Sequence, residues 1–69
     1  MMDRRLDLLA LRARDMRDKV MAGRIGFADA VDMVYSAAVW ADLVDDYGDD
    51  AVQYVLATAF MDVPMEARQ

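Results

Sequence analysis

Apolar residues recur along the first third of the chain at alternating steps of three and four. Leu6, Leu9, Ala13, Met16 and Val20 keep this rhythm without a gap, and in a helix that spacing lines them up as a seam of a and d heptad positions. The pattern predicts a helix over about residues 3–22. Asp3 is placed to cap its start by accepting from exposed backbone N–H groups, and Gly23 is placed to stop it in a left-handed conformation. A second helix is predicted over 27–45. Phe27, Ala30, Val31, Val34, Ala37, Ala38, Ala41 and Val44 share one broad face of it. Half of these are alanine, and small side chains let neighbouring helices approach closely, so this reads as the central helix. A third helix is predicted over 49–62, starting at Asp49 or Asp50 after Gly48, with Val52, Val55, Leu56, Ala59, Phe60 and Val63 as its inner stripe. Pro64 fits poorly in a helix interior and marks the end. Residues 65–69 read as a loose polar tail. No run alternates as a half-buried strand would. The expected fold is all-α: one domain, a compact three-helix bundle made of a helical hairpin and a third helix.

The same pattern leaves apolar residues over. Leu8 and Leu11 lie off the seam of the first helix. Met33, Trp40 and Leu43 fall on one arc of the second, with Ser36 among them, and Val39 lies nearby on the outer face. Tyr54 and Met61 lie across from the inner stripe of the third. In a lone chain of 69 residues the outer faces should be polar throughout. Leu8, Leu11, Met33, Ser36, Trp40, Leu43, Tyr54 and Met61 are therefore the expected dimer or partner interface. For Trp40, an intramolecular core position remains an equal alternative.

Composition strengthens the expectation of self-association. Apolar residues make up 58% of the chain, and seven are methionine, a soft and adaptable side chain. A domain this short has little interior and is stabilised weakly by burial alone. There is no cysteine and no histidine. Disulfides are thereby excluded, as are zinc, haem and iron–sulfur sites with their usual ligands, and no cofactor is expected. Association is the remaining route to stability.

Charge is unevenly spread. Up to Arg24 there are seven basic and four acidic residues, a balance of +3. From Ile25 onward one basic residue, Arg68, stands against nine acidic ones, a balance of −8. The two halves can neutralise one another within the fold or present two electrostatic ends. Arg5, Arg12 and Lys19 flank the first seam at g positions, where they can select a partner helix or merely lay their stems over the core. Residues 45–50 read Asp-Asp-Tyr-Gly-Asp-Asp. They lack the spaced ligands of an EF-hand loop, so the run reads as an interhelical turn. With Asp42 it gives Asp42, Asp45, Asp46, Asp49 and Asp50 as a candidate acidic patch for binding a protein.

Catalytic chemistry is not supported. Ser36 and Thr58, the candidate nucleophiles, fall mid-helix with no histidine to act as base, and there is no glycine-rich phosphate loop. An enzyme is not expected. No apolar stretch is long enough to span a bilayer and no leader is visible, so the expected setting is the cytoplasm. The leading functional expectation is a small acidic homodimer that binds another protein as adaptor or inhibitor, its carboxylates lying where the phosphates of a nucleic acid would lie. In size and charge it resembles phage and mobile-element inhibitors, anti-CRISPR proteins among them, with no motif that assigns it to a family. Two alternatives stay open. One is a dimeric DNA-binding regulator or antitoxin using the basic first helix, although the third helix carries no basic residue. The other is a structural subunit that orders only within a larger assembly.

Overall fold

The computed structural model describes residues 4–68. They form four α-helices and a short 3-10 turn: α1 (Arg4–Met21), α2 (Phe27–Trp40), α3 (Leu43–Tyr47), α4 (Asp49–Phe60) and the turn Met65–Ala67. The fold is all-α, with α1 and α2 as an antiparallel hairpin and α4 packed across both. No described helix is long and apolar enough to cross a membrane. The expected cap at Asp3 lies outside the described residues.

The hairpin turn is made by local hydrogen bonds. Gly23 has φ +73°. Its N–H donates to the Val20 carbonyl at 3.0 Å, and the Arg24 N–H donates to the Lys19 carbonyl at 2.9 Å. This crossed pair is the Schellman arrangement, and it satisfies carbonyls that the last turn of α1 would otherwise leave open.

The second helix is not continuous to residue 45. It ends at Trp40, and Asp42 sits in the left-handed region at φ 62°, ψ 20°. Aspartate tolerates that conformation better than most residues because its short polar side chain makes little steric demand. The break sends α3 off along a new direction. In an unbroken helix Leu43 lies about two and a half turns beyond Val34, on the opposite side. Val34 is at the centre of the core, so Leu43 would point to solvent. With the chain turned at Asp42, Leu43 is instead buried, at 4% exposure. Its assignment to the partner interface is corrected accordingly.

A second special residue separates α3 from α4. Gly48 has φ 89°, ψ 152°, a region essentially closed to residues with a Cβ. It ends one helix and begins the next. Its N–H donates to the Val44 carbonyl, and its carbonyl accepts from Val52 N–H.

The core follows the α1 and α4 stripes closely and the predicted α2 face in part, with Phe27, Val31, Ala37 and Val44 half-buried and Ala41 exposed. Leu9, Ala13, Met16 and Val20 of α1 meet Ala30, Val34 and Ala38 of α2 and Val52, Val55, Leu56, Ala59 and Phe60 of α4, with Leu43 and Val63 closing the ends. Ala13, Ala30 and Ala38 are fully buried, and their small side chains suit close packing of the helices. Among the described residues no polar or charged side chain is buried. Phe27 and Phe60 pack edge to face, with ring centroids 5.7 Å apart. Against expectation, the segment after Pro64 is not loose up to Arg68. Arg68 folds back over the Phe27 ring at 5.2 Å. Its Nε donates to the Val63 carbonyl at 2.9 Å and its Nη2 to the Phe60 carbonyl at 3.3 Å. A cation there complements the partial negative charge at the end of α4. Gln69 lies outside the described residues.

The turn at Asp42 gives a direct test. Asp42→Val should destabilise the fold by about 1–2 kcal/mol relative to Asp42→Gly, since a branched side chain resists the left-handed region that glycine enters freely. Urea unfolding of the two variants compares them, and equal midpoints would contradict the role given to this residue.

Candidate protein-binding surface

The sequence-predicted interface residues fall into distinct places. Leu8 and Leu11 of α1 and Met33 and Trp40 of α2 are exposed at 58%, 57%, 56% and 88%, and Ser36 is exposed beside them. A groove of about 290 Å³ shows which edges of the two helices adjoin. It is lined by Arg5, Leu8, Leu9 and Arg12 from α1, by Ala37 and Ala41 at the end of α2, and by Leu43. Met33 lies four residues before Ala37 and Trp40 three after, so both flank it on the same edge of α2. Leu8 lines the facing edge of α1, with Leu11 beyond it on the solvent side of that helix. Leu8, Met33 and Trp40 form an apolar face on the hairpin beside the groove, with Leu11 outside the groove lining. Met21 and Val39 are also exposed but lie on other edges of their helices.

Tyr54 and Met61 do not join this face. They lie two turns apart on α4, away from the stripe that packs on the hairpin, and are 68% and 67% exposed. The predicted set therefore separates into a hairpin face, an α4 outer face, and Leu43 in the core. Met65, exposed on the short turn, carried no periodic signal and was missed.

The charge row Arg5, Arg12 and Lys19 does not act as a unit. Arg5 ties α1 to the far end of the hairpin: Nη1 donates to Asp46 Oδ2 at 2.8 Å and Nη2 to the Ala41 carbonyl at 2.6 Å. Its guanidinium also lies over the Tyr47 ring at 5.6 Å. Lys19 pairs with Asp15 one turn back at 3.3 Å. Arg12 lines the groove, and no carboxylate of a described residue lies within ion-pair distance of it. Arg17, on the opposite flank, reaches Asp18 at 3.0 Å and Asp62 of the α4 end at 3.8 Å. These are surface pairs, each worth at most about 1 kcal/mol.

All five carboxylates of the acidic patch are exposed, but they are not equivalent. Asp46 holds Arg5. Asp49 accepts a 2.6 Å hydrogen bond from the Tyr35 hydroxyl, which links α2 to the start of α4. Asp42, Asp45 and Asp50 make no such contact among the described residues and leave their charge in solvent. Tyr35 was missed at the sequence level, since a partner fourteen residues away leaves no local pattern. No group of three or more acidic side chains among the described residues is arranged to hold a metal ion.

Searches against family models, curated proteins and solved structures return no match to this chain.

Two measurements check this placement. Leu43→Ala should cost about 2–5 kcal/mol, the penalty for a cavity in a packed core, whereas Leu11→Ala in dilute solution should stay within about 0.5 kcal/mol. Chemical denaturation of both variants decides, and similar losses would mean that Leu43 is not a core residue. Tyr35 supplies a second check. Its hydrogen bond to Asp49, with partial burial and the nearby charge, raises its pKa above the ordinary 10.0. The protonated phenol is thus favoured in the folded state. Its contribution is complete below the ordinary value and is lost as pH rises through the raised one. Ultraviolet titration should show a late-ionising tyrosine that returns to normal in Asp49→Asn; an unchanged titration curve in that variant would break the assignment.

Proposed function

We propose that the chain is a non-enzymatic protein-binding module that pairs with a second copy of itself and engages another protein as adaptor or inhibitor. The observation that carries this reading is the hairpin face, where Leu8, Met33 and Trp40 stand in solvent beside an apolar groove. Large apolar side chains exposed together on one face are characteristic of an interaction site. Tryptophan is also enriched among the residues that dominate binding energy.

The acidic half supplies the second contact. Asp42, Asp45 and Asp50 present exposed carboxylates and suit a basic surface on the partner, including one that otherwise takes nucleic acid. That would make the protein an inhibitor of the nucleic-acid-mimicking kind, as phage and mobile elements employ. Direct DNA binding has less support, because Arg5, Arg17 and Lys19 already lie beside carboxylates of the same chain.

The acidic contact is tested without disturbing the internal ties of Asp46 and Asp49. Replacing Asp42, Asp45 and Asp50 together by Asn should preserve helical circular dichroism and abolish salt-sensitive capture of a protein partner from host extract. Capture of the same partner by wild type and variant at equal salt would remove the acidic patch from the reading.

A further inference from the structure

Building on the self-association proposed above, we infer that two copies pair through the hairpin face by inserting Trp40 of each into the groove of the other. The size of the groove is the first support. At about 290 Å³ it is just below the roughly 300–1,000 Å³ of pockets that hold drug-sized ligands. It is also too small to seat a helix. One large side chain fits it. Its walls are the apolar side chains Leu8, Leu9, Ala37, Ala41 and Leu43, rimmed by Arg5 and Arg12. That combination suits a flat aromatic ring, which fills the apolar floor and takes a guanidinium against its face. Arg5 already lies over an aromatic ring of its own chain, Tyr47. Arg12 is placed to do the same to an incoming one.

The chain carries the matching group beside the groove. Trp40 is its single tryptophan, is 88% exposed, and lies between groove residues Ala37 and Ala41 in sequence without lining the groove itself. A two-fold dimer requires a self-complementary patch, in which residue i meets j while j meets i. A projecting indole next to an aromatic-sized recess on one face meets that condition, and both contacts form at once. Two hairpins joined this way make a four-helix arrangement across the dyad. The apolar face supplies the centre of the interface, with Arg5 and Arg12 at the rim of each recess. A heterologous contact between the hairpin face and the outer face of α4 would leave further sites open and grow into chains, whereas reciprocal insertion closes at two.

Sedimentation velocity from micromolar to millimolar protein, read with Trp40 fluorescence on the same samples, tests the inference. The expected result is a monomer–dimer equilibrium in which Trp40 emission shifts to the blue as the dimer forms. Trp40→Ala should weaken self-association by about 100-fold or more. Ala41→Phe, at an exposed position lining the groove, should do the same by filling the recess. Both variants should keep wild-type circular dichroism. Mixed together, they should associate more tightly than either does alone, because one copy supplies the indole and the other the open recess. A dimer whose Trp40 emission stays that of an exposed indole overturns the insertion and leaves self-association standing. A chain that is monomeric at millimolar concentration overturns both.

Discussion

The left-handed turn at Asp42 governs which way the second half of the molecule faces. Without it, α2 would run on and carry Leu43 to the solvent side. With it, Leu43 closes one end of the core, α3 packs on α4 and α2, and Asp46 comes within reach of Arg5. The same break leaves Trp40 at the end of its helix, with Ala41 beyond it lining a recess rather than packed under a further turn. Core closure, the Arg5 tie and the form of the hairpin face thus depend on one residue's backbone conformation. The energetic cost of that conformation is modest for aspartate, while burial of one leucine contributes about 1.5–3 kcal/mol, so the turn is favourable overall.

What periodicity could reveal, it revealed well. The α1 seam of Leu9, Ala13, Met16 and Val20 is buried along its length except for Leu6, which is half-buried near the start. The α4 stripe is equally faithful, and Gly23 ends α1 as its position suggested. These elements are legible because a helical face repeats and the repeat is in the sequence. The turn at Asp42 was not legible, since an aspartate inside an apolar run is also compatible with a solvated helix position. Only the tertiary need to bury Leu43 distinguishes the two. Arg68 was hidden for a related reason: its partners are carbonyls and an aromatic ring brought near by folding. The hairpin face was half visible. Its residues were named from their surplus over one core, but their grouping around Ala37 and Ala41, and the separation of Tyr54 and Met61 from them, depends on how the helices meet.

Size explains why so much apolar surface remains outside. A chain of 69 residues forms only one thin core, and here four helices surround it with three fully buried alanines among the core residues. Narrow helix spacing makes good contact but consumes little apolar area. The larger side chains Leu8, Leu11, Met33 and Trp40 are left on the surface. Stability in such a domain is modest, and burying these groups against another molecule adds to it through mass action. The charge pattern fits the same picture. Ties such as Arg5 to Asp46 and Tyr35 to Asp49 hold the acidic segment in place while its other carboxylates stay in water.

The alanines at positions 13, 30 and 38 have a consequence for ancestry. A larger side chain at these fully buried points has to displace its neighbours, so small residues are favoured there. Surface charges that make no internal contact are under no such geometric limit. A distant cousin could therefore have lost all resemblance in its acidic loop and still keep this trio of tiny residues at the same intervals, a signature of descent set by distance between helix axes rather than by function.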